Sequence, residues 1–153
     1  MRVTLSVEEQ KLAKFLARRR HETSRQQGKE NLCKDHLSEE LAELDGVAGE
    51  LAYCKLMNVY PDIQAGSSPD EDCILHNGKL VDVKTTAYDT GKLVASKWKG
   101  AGVDLYALMV GSFPTYRFAG VATKDELINP DRLTNLGTGE LYVLEQKDLE
   151  CPF

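Results

Sequence analysis

Asp70-Glu71-Asp72-Cys73-Ile74-Leu75-His76-Asn77-Gly78-Lys79-Leu80-Val81-Asp82-Val83-Lys84-Thr85-Thr86 decides the fold, because its apolar residues recur with a period of two and Asn77-Gly78 interrupts them. Alternation bounded by an Asn-Gly pair predicts a β-hairpin. Residues 82 and 84 share one face of a strand, so Asp82 and Lys84 project together while Val81 and Val83 point into the core. The face taken by Asp72 depends on the turn. A two-residue loop would set Asp72 on the core side with Val81. A three-residue loop, with Gly78 in the left-handed bulge position, pairs Cys73 with Val81 and sets Asp72 across from Asp82. An unpaired buried carboxylate costs several kcal/mol, so burial selects the three-residue loop and brings Asp72, Asp82 and Lys84 to one face. Two carboxylates opposed across strands repel unless a cation lies between them. Oxygen donors suit a hard cation. The same spacing also fits a surface hairpin in which Asp82 and Lys84 form a weak, solvated ion pair.

Upstream of the hairpin the period is helical. Ser6 and Glu9 form a capping box ahead of Leu12, Phe15 and Leu16, which predicts a helix from about Val7 carrying the run Arg18-Arg19-Arg20. After a break near Gly28, Ser38 followed by Glu39 and Glu40 predicts a helix over about 39–57, with Leu41, Leu44, Val47, Ala48, Leu51 and Cys54 as its apolar stripe. Downstream, Leu105–Val110 is a continuous apolar run suited to the middle of a sheet, and Tyr116–Ala122 a further strand. Thr123 with Glu126 caps a short helix ending by Asn129, and Leu141–Leu144 is a last strand. The implied fold class is α/β in the α+β sense: a mixed central sheet flanked by helices, in one domain over 1–153 with a helical part at 1–58 and a sheet core at 70–146. A chain of 153 residues has room for one core, in which about two-thirds of the unfolded surface is buried.

The net charge of −5 conceals blocks of opposite sign. Residues 1–34 hold nine Lys and Arg against four acids, residues 35–72 one base against ten acids, and residues 73–100 five bases against two acids. Such blocks suit solvated helix faces, and equally a cluster of carboxylates between cationic walls, as an enzyme handling phosphate and metal requires. No apolar run is long enough for a membrane span and the N-terminus lacks a secretory stretch, so a cytoplasmic protein is expected. Cys33, Cys54, Cys73 and Cys151 are scattered, without a CxxC pair, and read as reduced, mostly core thiols. His21, His36 and His76 have no partner at ligand spacing and read as surface residues. Lys92, Lys97, Trp98 and Lys99, between Gly91 and Gly100, form a basic loop in which Trp98 could stack on a base.

The second helix carries one further feature. In Gly46-Val47-Ala48-Gly49-Glu50-Leu51-Ala52-Tyr53-Cys54 the sole charge is Glu50, at the border of the apolar stripe. Each neighbouring glycine costs about 1 kcal/mol against alanine in a helix, which suggests that another backbone packs close to the Glu50 face. A helix glutamate in a GxxGE setting, then an aspartate, then Asp-x-Lys on a hairpin resembles the PD-(D/E)xK nuclease superfamily. The likeness covers roughly residues 38–122. The literal Pro69-Asp70 pair leaves Asp70 as an alternative to Asp72 for the first acid.

The resemblance implies that Asp72 and Asp82 hold a catalytic Mg²⁺ (or Mn²⁺), with the backbone carbonyl of Val83 as a further ligand and Glu50 completing the site or holding a second ion. It implies that Lys84 orients and helps deprotonate the attacking water or stabilises the transition state. The partner it implies is DNA, cut to a 5′-phosphate and a 3′-hydroxyl in phage or bacterial DNA processing, and it admits a homodimer. Arg18, Arg19, Arg20, Lys92, Lys97, Trp98 and Lys99 are the expected nucleic-acid contacts. A catalytically silent nucleic-acid-binding or protein-interaction module on the same fold is the alternative.

Overall fold

The computed structural model describes residues 1–26, 36–64, 71–96, 102–135, 137 and 139–152. The chain opens with a short strand β1 (Arg2–Thr4), followed by helices α1 (Val7–Gln26) and α2 (His36–Met57). Next come β2 (Cys73–Ile74), β3 (Leu80–Thr86), β4 (Leu93–Ser96), β5 (Leu105–Ser112) and β6 (Thr115–Thr123). A one-turn helix α3 (Lys124–Leu127), β7 (Leu133–Asn135) and β8 (Glu140–Leu144) complete the fold. The class is α+β, as the sequence implies.

Two sheets form. The larger has the order β1-β6-β5-β3-β2, with β3 and β5 parallel and the other pairs antiparallel; the smaller is antiparallel, β4-β8-β7. Strand β5 explains why Leu105–Val110 reads as an unbroken apolar run. Ala107 and Met109 pack in one core with Val47, Ala48 and Leu51 of α2, whereas Tyr106, Leu108 and Val110 pack in a second core with Leu93, Ala95 and Leu144 of the small sheet. A strand covered on both faces has no polar side to show.

Both capping predictions hold. The backbone N–H of Ser6 donates to Glu9 Oε2 at 2.6 Å and the N–H of Glu9 donates to Ser6 Oγ, and Thr123 and Glu126 satisfy each other in the same way at α3. Other expectations need correction. Helix α2 begins at His36, ahead of Ser38. Leu41 on α2 is exposed, and Phe15 and Leu12 are exposed because the buried stripe of α1 runs through Ala13, Leu16 and Ala17. The first 58 residues are not purely helical, since β1 pairs with β6 at the far edge of the large sheet. Within the expected basic loop, Leu93–Ser96 is a strand with Leu93 and Ala95 buried; four residues flanked by lysines gave too short an alternation to see. Cys54 and Cys73 are buried and free, whereas Cys151 is exposed. His21 is not a bare surface residue: its Nδ1 lies 2.9 Å from Glu43 Oε2 between the two long helices. Among the described residues, no helix is long and apolar enough to cross a membrane.

Candidate active site

Glu50 is placed by the way α2 meets β3. A Cβ added at Gly49 would collide with Thr85 Oγ1, so the helix sits against β3 at a distance that only glycine allows, whereas a Cβ at Gly46 would meet nothing within 4 Å. The close approach suspected from the two glycines is therefore real at Gly49, against a side chain of β3, and absent at Gly46. This difference gives a paired expectation. Gly46→Ala should stabilise the protein by about 1 kcal/mol through helix propensity. Gly49→Ala should destabilise it by about 1 kcal/mol net, because overpacking against Thr85 exceeds the same gain. Urea melts of both variants check the signs, and adding Thr85→Ala to Gly49→Ala should recover the loss.

Glu50 is half-buried and does not stand alone. Arg20 on α1 donates from Nη1 to Glu50 Oε2 at 2.8 Å and from Nη2 to the Asp62 carbonyl at 3.2 Å. Burial pushes the Glu50 carboxyl up from its ordinary range, the Arg20 guanidinium draws it down, and the nearby charge of Asp82 pushes it up again. Arg20 belongs to the expected DNA-contacting triplet, yet it points inward. The spacing holds the signal: Ala13, Leu16, Ala17 and Arg20 fall at i, i+3, i+4 and i+7, so Arg20 continues the buried stripe. Arg18 and Arg19 are exposed.

The hairpin has the three-residue turn. Cys73 pairs with Val81 and Ile74 with Leu80, Leu75 N–H donates to the Lys79 carbonyl, and Gly78 has φ +82°. The β2 ladder stops after two residues, which leaves the outward backbone groups of β3 open from Val83 onward. Asp72 fills that gap. Its N–H donates to the Val81 carbonyl at 2.8 Å, and its Oδ2 accepts from the Val83 N–H at 2.7 Å. Asp72 therefore brackets Asp82 along the strand and lies half-buried rather than on an open surface.

Asp82 is 8% exposed, the only charged residue among the buried ones described, and its Oδ1 lies 2.7 Å from Lys84 Nζ. Their strand neighbours across the parallel ladder are Tyr106 and Leu108 of the second core, while Val81 and Val83 pack in the first. Asp82 and Lys84 thus share a face, as the strand period requires. A solvated surface pair does not describe them, because Asp82 is buried.

The acids sense one another. Burial pushes the Asp72 carboxyl up to about 8; the charges of Glu50 and Asp82 add to that rise, and the Val83 N–H and Lys84 oppose it. Each carboxylate has a commitment of its own: Glu50 to Arg20, Asp72 to the Val83 N–H and Asp82 to Lys84. Among the described residues no three His, Cys, Asp or Glu side chains stand ready as a metal cage. Mg²⁺ does not require one, since it commonly takes one or two carboxylates and keeps several waters. Asp72, just before β2, and Asp82, on β3, offer the oxygen donors that such a site uses. Glu50 shares its Oε2 with Arg20.

The remaining expected contacts are dispersed. Lys92 is exposed and its Nζ lies 3.6 Å from Glu145 Oε1. Lys97, Trp98, Lys99 and Asp70 lie outside the described residues. No protein-family model, curated protein or solved structure matches the chain, so what the site does has to be argued from its own residues.

Proposed function

We propose that the chain is a metal-dependent nuclease that hydrolyses DNA phosphodiester bonds. The observation that carries this reading is geometric: Asp72 Oδ2 accepts from the Val83 N–H at 2.7 Å on the open edge of β3, and between these two residues of the hairpin the buried Asp82 meets Lys84 Nζ at 2.7 Å. A bound Mg²⁺ or Mn²⁺ would supply the positive charge that makes a phosphodiester electrophilic. Asp72 and Asp82 would hold that ion, with the Val83 carbonyl, which faces the same open edge of β3, as a further donor. Lys84, paired as an ammonium with Asp82 at 2.7 Å, would orient a water against phosphorus and offset the negative charge that builds on the phosphate, and the water's proton would pass to solvent. The water oxygen forms the new bond, the P–O3′ bond breaks, and the 3′ oxygen gains a proton. Arg20 would keep Glu50 ionised and in place behind the two ligands.

The test is direct: purified protein is incubated with plasmid, single-stranded and branched DNA, with Mg²⁺, Mn²⁺ or chelator. Cleavage that needs the metal and leaves 5′-phosphates supports the reading, and no cleavage of any substrate overturns it. The closed ion pairs Arg20–Glu50 and Lys84–Asp82 favour the second reading, a silent nucleic-acid-binding module. Binding without cleavage would select it.

Binding should be salt-dependent in either case. The exposed Arg18 and Arg19 of α1 are expected to contact phosphates, so log K should fall steeply with log salt, by about 0.7–0.9 for each phosphate neutralised. Arg18→Ser with Arg19→Ser should reduce that slope by about 1–2, read by fluorescence anisotropy across a salt series. A wild-type slope near zero points instead to a protein partner.

A further inference from the structure

One hollow of the molecule opens beside Asp72 and plays no part in the chemistry above. It is a cavity of about 390 Å³ whose walls include Tyr60, Ile63 and Ile74, with Asp62, Glu71 and Asp72 among its polar groups. The apolar side chains are turned outward: Tyr60 is 77% exposed and Ile74 on β2 is 53% exposed, with Ile63 also exposed. The wall is braced, because the Asp62 N–H donates to the Asp72 carbonyl and the Asp62 carbonyl accepts from Arg20. An aromatic ring and two aliphatic side chains standing in water, fixed against the candidate catalytic carboxylate, call for an occupant.

We infer that this cavity receives an unpaired nucleobase next to the bond to be cut, so that the substrate is single-stranded or flapped DNA. The inference rests on the nuclease reading of the neighbouring carboxylates. The charge of the pocket separates base from phosphate: Asp62 and Glu71 repel an anion but accept hydrogen bonds from N–H groups. Every one of the four bases carries at least one N–H on the edge that Watson–Crick pairing occupies, and that edge is free only when the base is unpaired. The face of Tyr60 and the aliphatic side chains of Ile63 and Ile74 offer a flat apolar platform, which suits any base and gives no strong sequence preference. The volume accepts one base with its sugar and excludes a duplex, whose bases are stacked away from such a wall.

The experiment uses a single-stranded oligonucleotide with one 2-aminopurine, its duplex, and full-length protein in chelator, so that binding is read without cleavage. Wild type should bind the single strand at least about tenfold tighter than the duplex and change the 2-aminopurine emission. Tyr60→Ala should weaken single-strand binding about tenfold and abolish the emission change, while Tyr60→Trp should restore both. Tyr88→Ala, at an equally exposed tyrosine that does not line the cavity, should behave as wild type. Equal affinity for the two DNAs, or a Tyr60→Ala variant indistinguishable from wild type, overturns the inference. Cleavage assays in Mg²⁺ separate the two readings: a wild type that binds as described but cuts nothing defeats the nuclease alone. A wild type and Tyr60→Ala that cut single strand and duplex equally well defeat the base pocket alone.

Discussion

Asp82→Asn should lower divalent-dependent cleavage by on the order of 10²–10³-fold, and Lys84→Ala should do the same, while both variants still bind DNA. The two differ in what they do to the fold. Asn at position 82 removes the buried charge and keeps an oxygen toward Lys84, so Asp82→Asn should melt close to wild type. Lys84→Ala leaves the Asp82 carboxylate, 8% exposed, without its cation, and breaking a buried pair in this way destabilises by roughly 3–5 kcal/mol. Cleavage rates are therefore compared at a temperature where circular dichroism shows both variants folded. If either cuts at the wild-type rate, the nucleolytic site lies elsewhere in the molecule.

Asp72→Asn should raise the melting temperature in chelator, and by an amount that grows with pH. The folded-state value of about 8 stands above the 3.8 of an ordinary aspartate. Between those values the folded protein holds a proton that the unfolded chain has released. Wild-type stability therefore declines as pH rises from about 4 to about 8 and is level outside that window. Asparagine does not titrate and still presents an oxygen to the Val83 N–H, so the variant escapes the decline. At about 1.4 kcal/mol per decade of pH the upper limit is on the order of 5 kcal/mol, and solvent reaching this half-buried carboxyl reduces it. We expect about 2–3 kcal/mol at pH 8, roughly 5–10 °C for a chain of this length. Mg²⁺ or Mn²⁺ should stabilise wild type through binding to the folded state alone, and Asp72→Asn should lose most of that response. Scanning calorimetry from pH 4 to 9, with chelator and with metal, measures both. A variant that melts lower in chelator and responds fully to metal would remove Asp72 from the site and leave Asp70 as the first acid.

The parts of this molecule legible in its sequence are those written in local, periodic chemistry. The capping boxes at Ser6 and Thr123, the turn glycine Gly78 and the pairing of Cys73 with Val81 follow from residues within a few positions of one another. Strand β5 announced its central place through a two-sided apolar run. Strands β1, β4 and β7 did not, because three or four residues cannot display a period. Asp72 stays out of the core as its register requires, but its hold on the Val83 N–H could not be read in advance, because it depends on β2 stopping short and leaving the backbone of β3 open. The carboxylates and Lys84 could be singled out from their spacing. The partner of Glu50 could not be found from the run Arg18-Arg19-Arg20 read as charge, although the helical stripe through Ala13, Leu16 and Ala17 marks Arg20 as the inward member. Tyr60 follows α2 with no pattern around it, and only the folded chain shows that it stands beside Asp72.

The short β2 has a consequence for how these molecules behave in a crowded solution. A sheet edge with unpaired N–H and C=O groups is a template on which another chain can add a strand, the first step of aggregation. Past the Cys73–Val81 pair, from Val83 onward, the outer edge of β3 would be such a template, but the Asp72 carboxyl occupies the Val83 N–H that an incoming strand would need. The same side chain proposed to hold the metal thus keeps the edge of the sheet from recruiting neighbours.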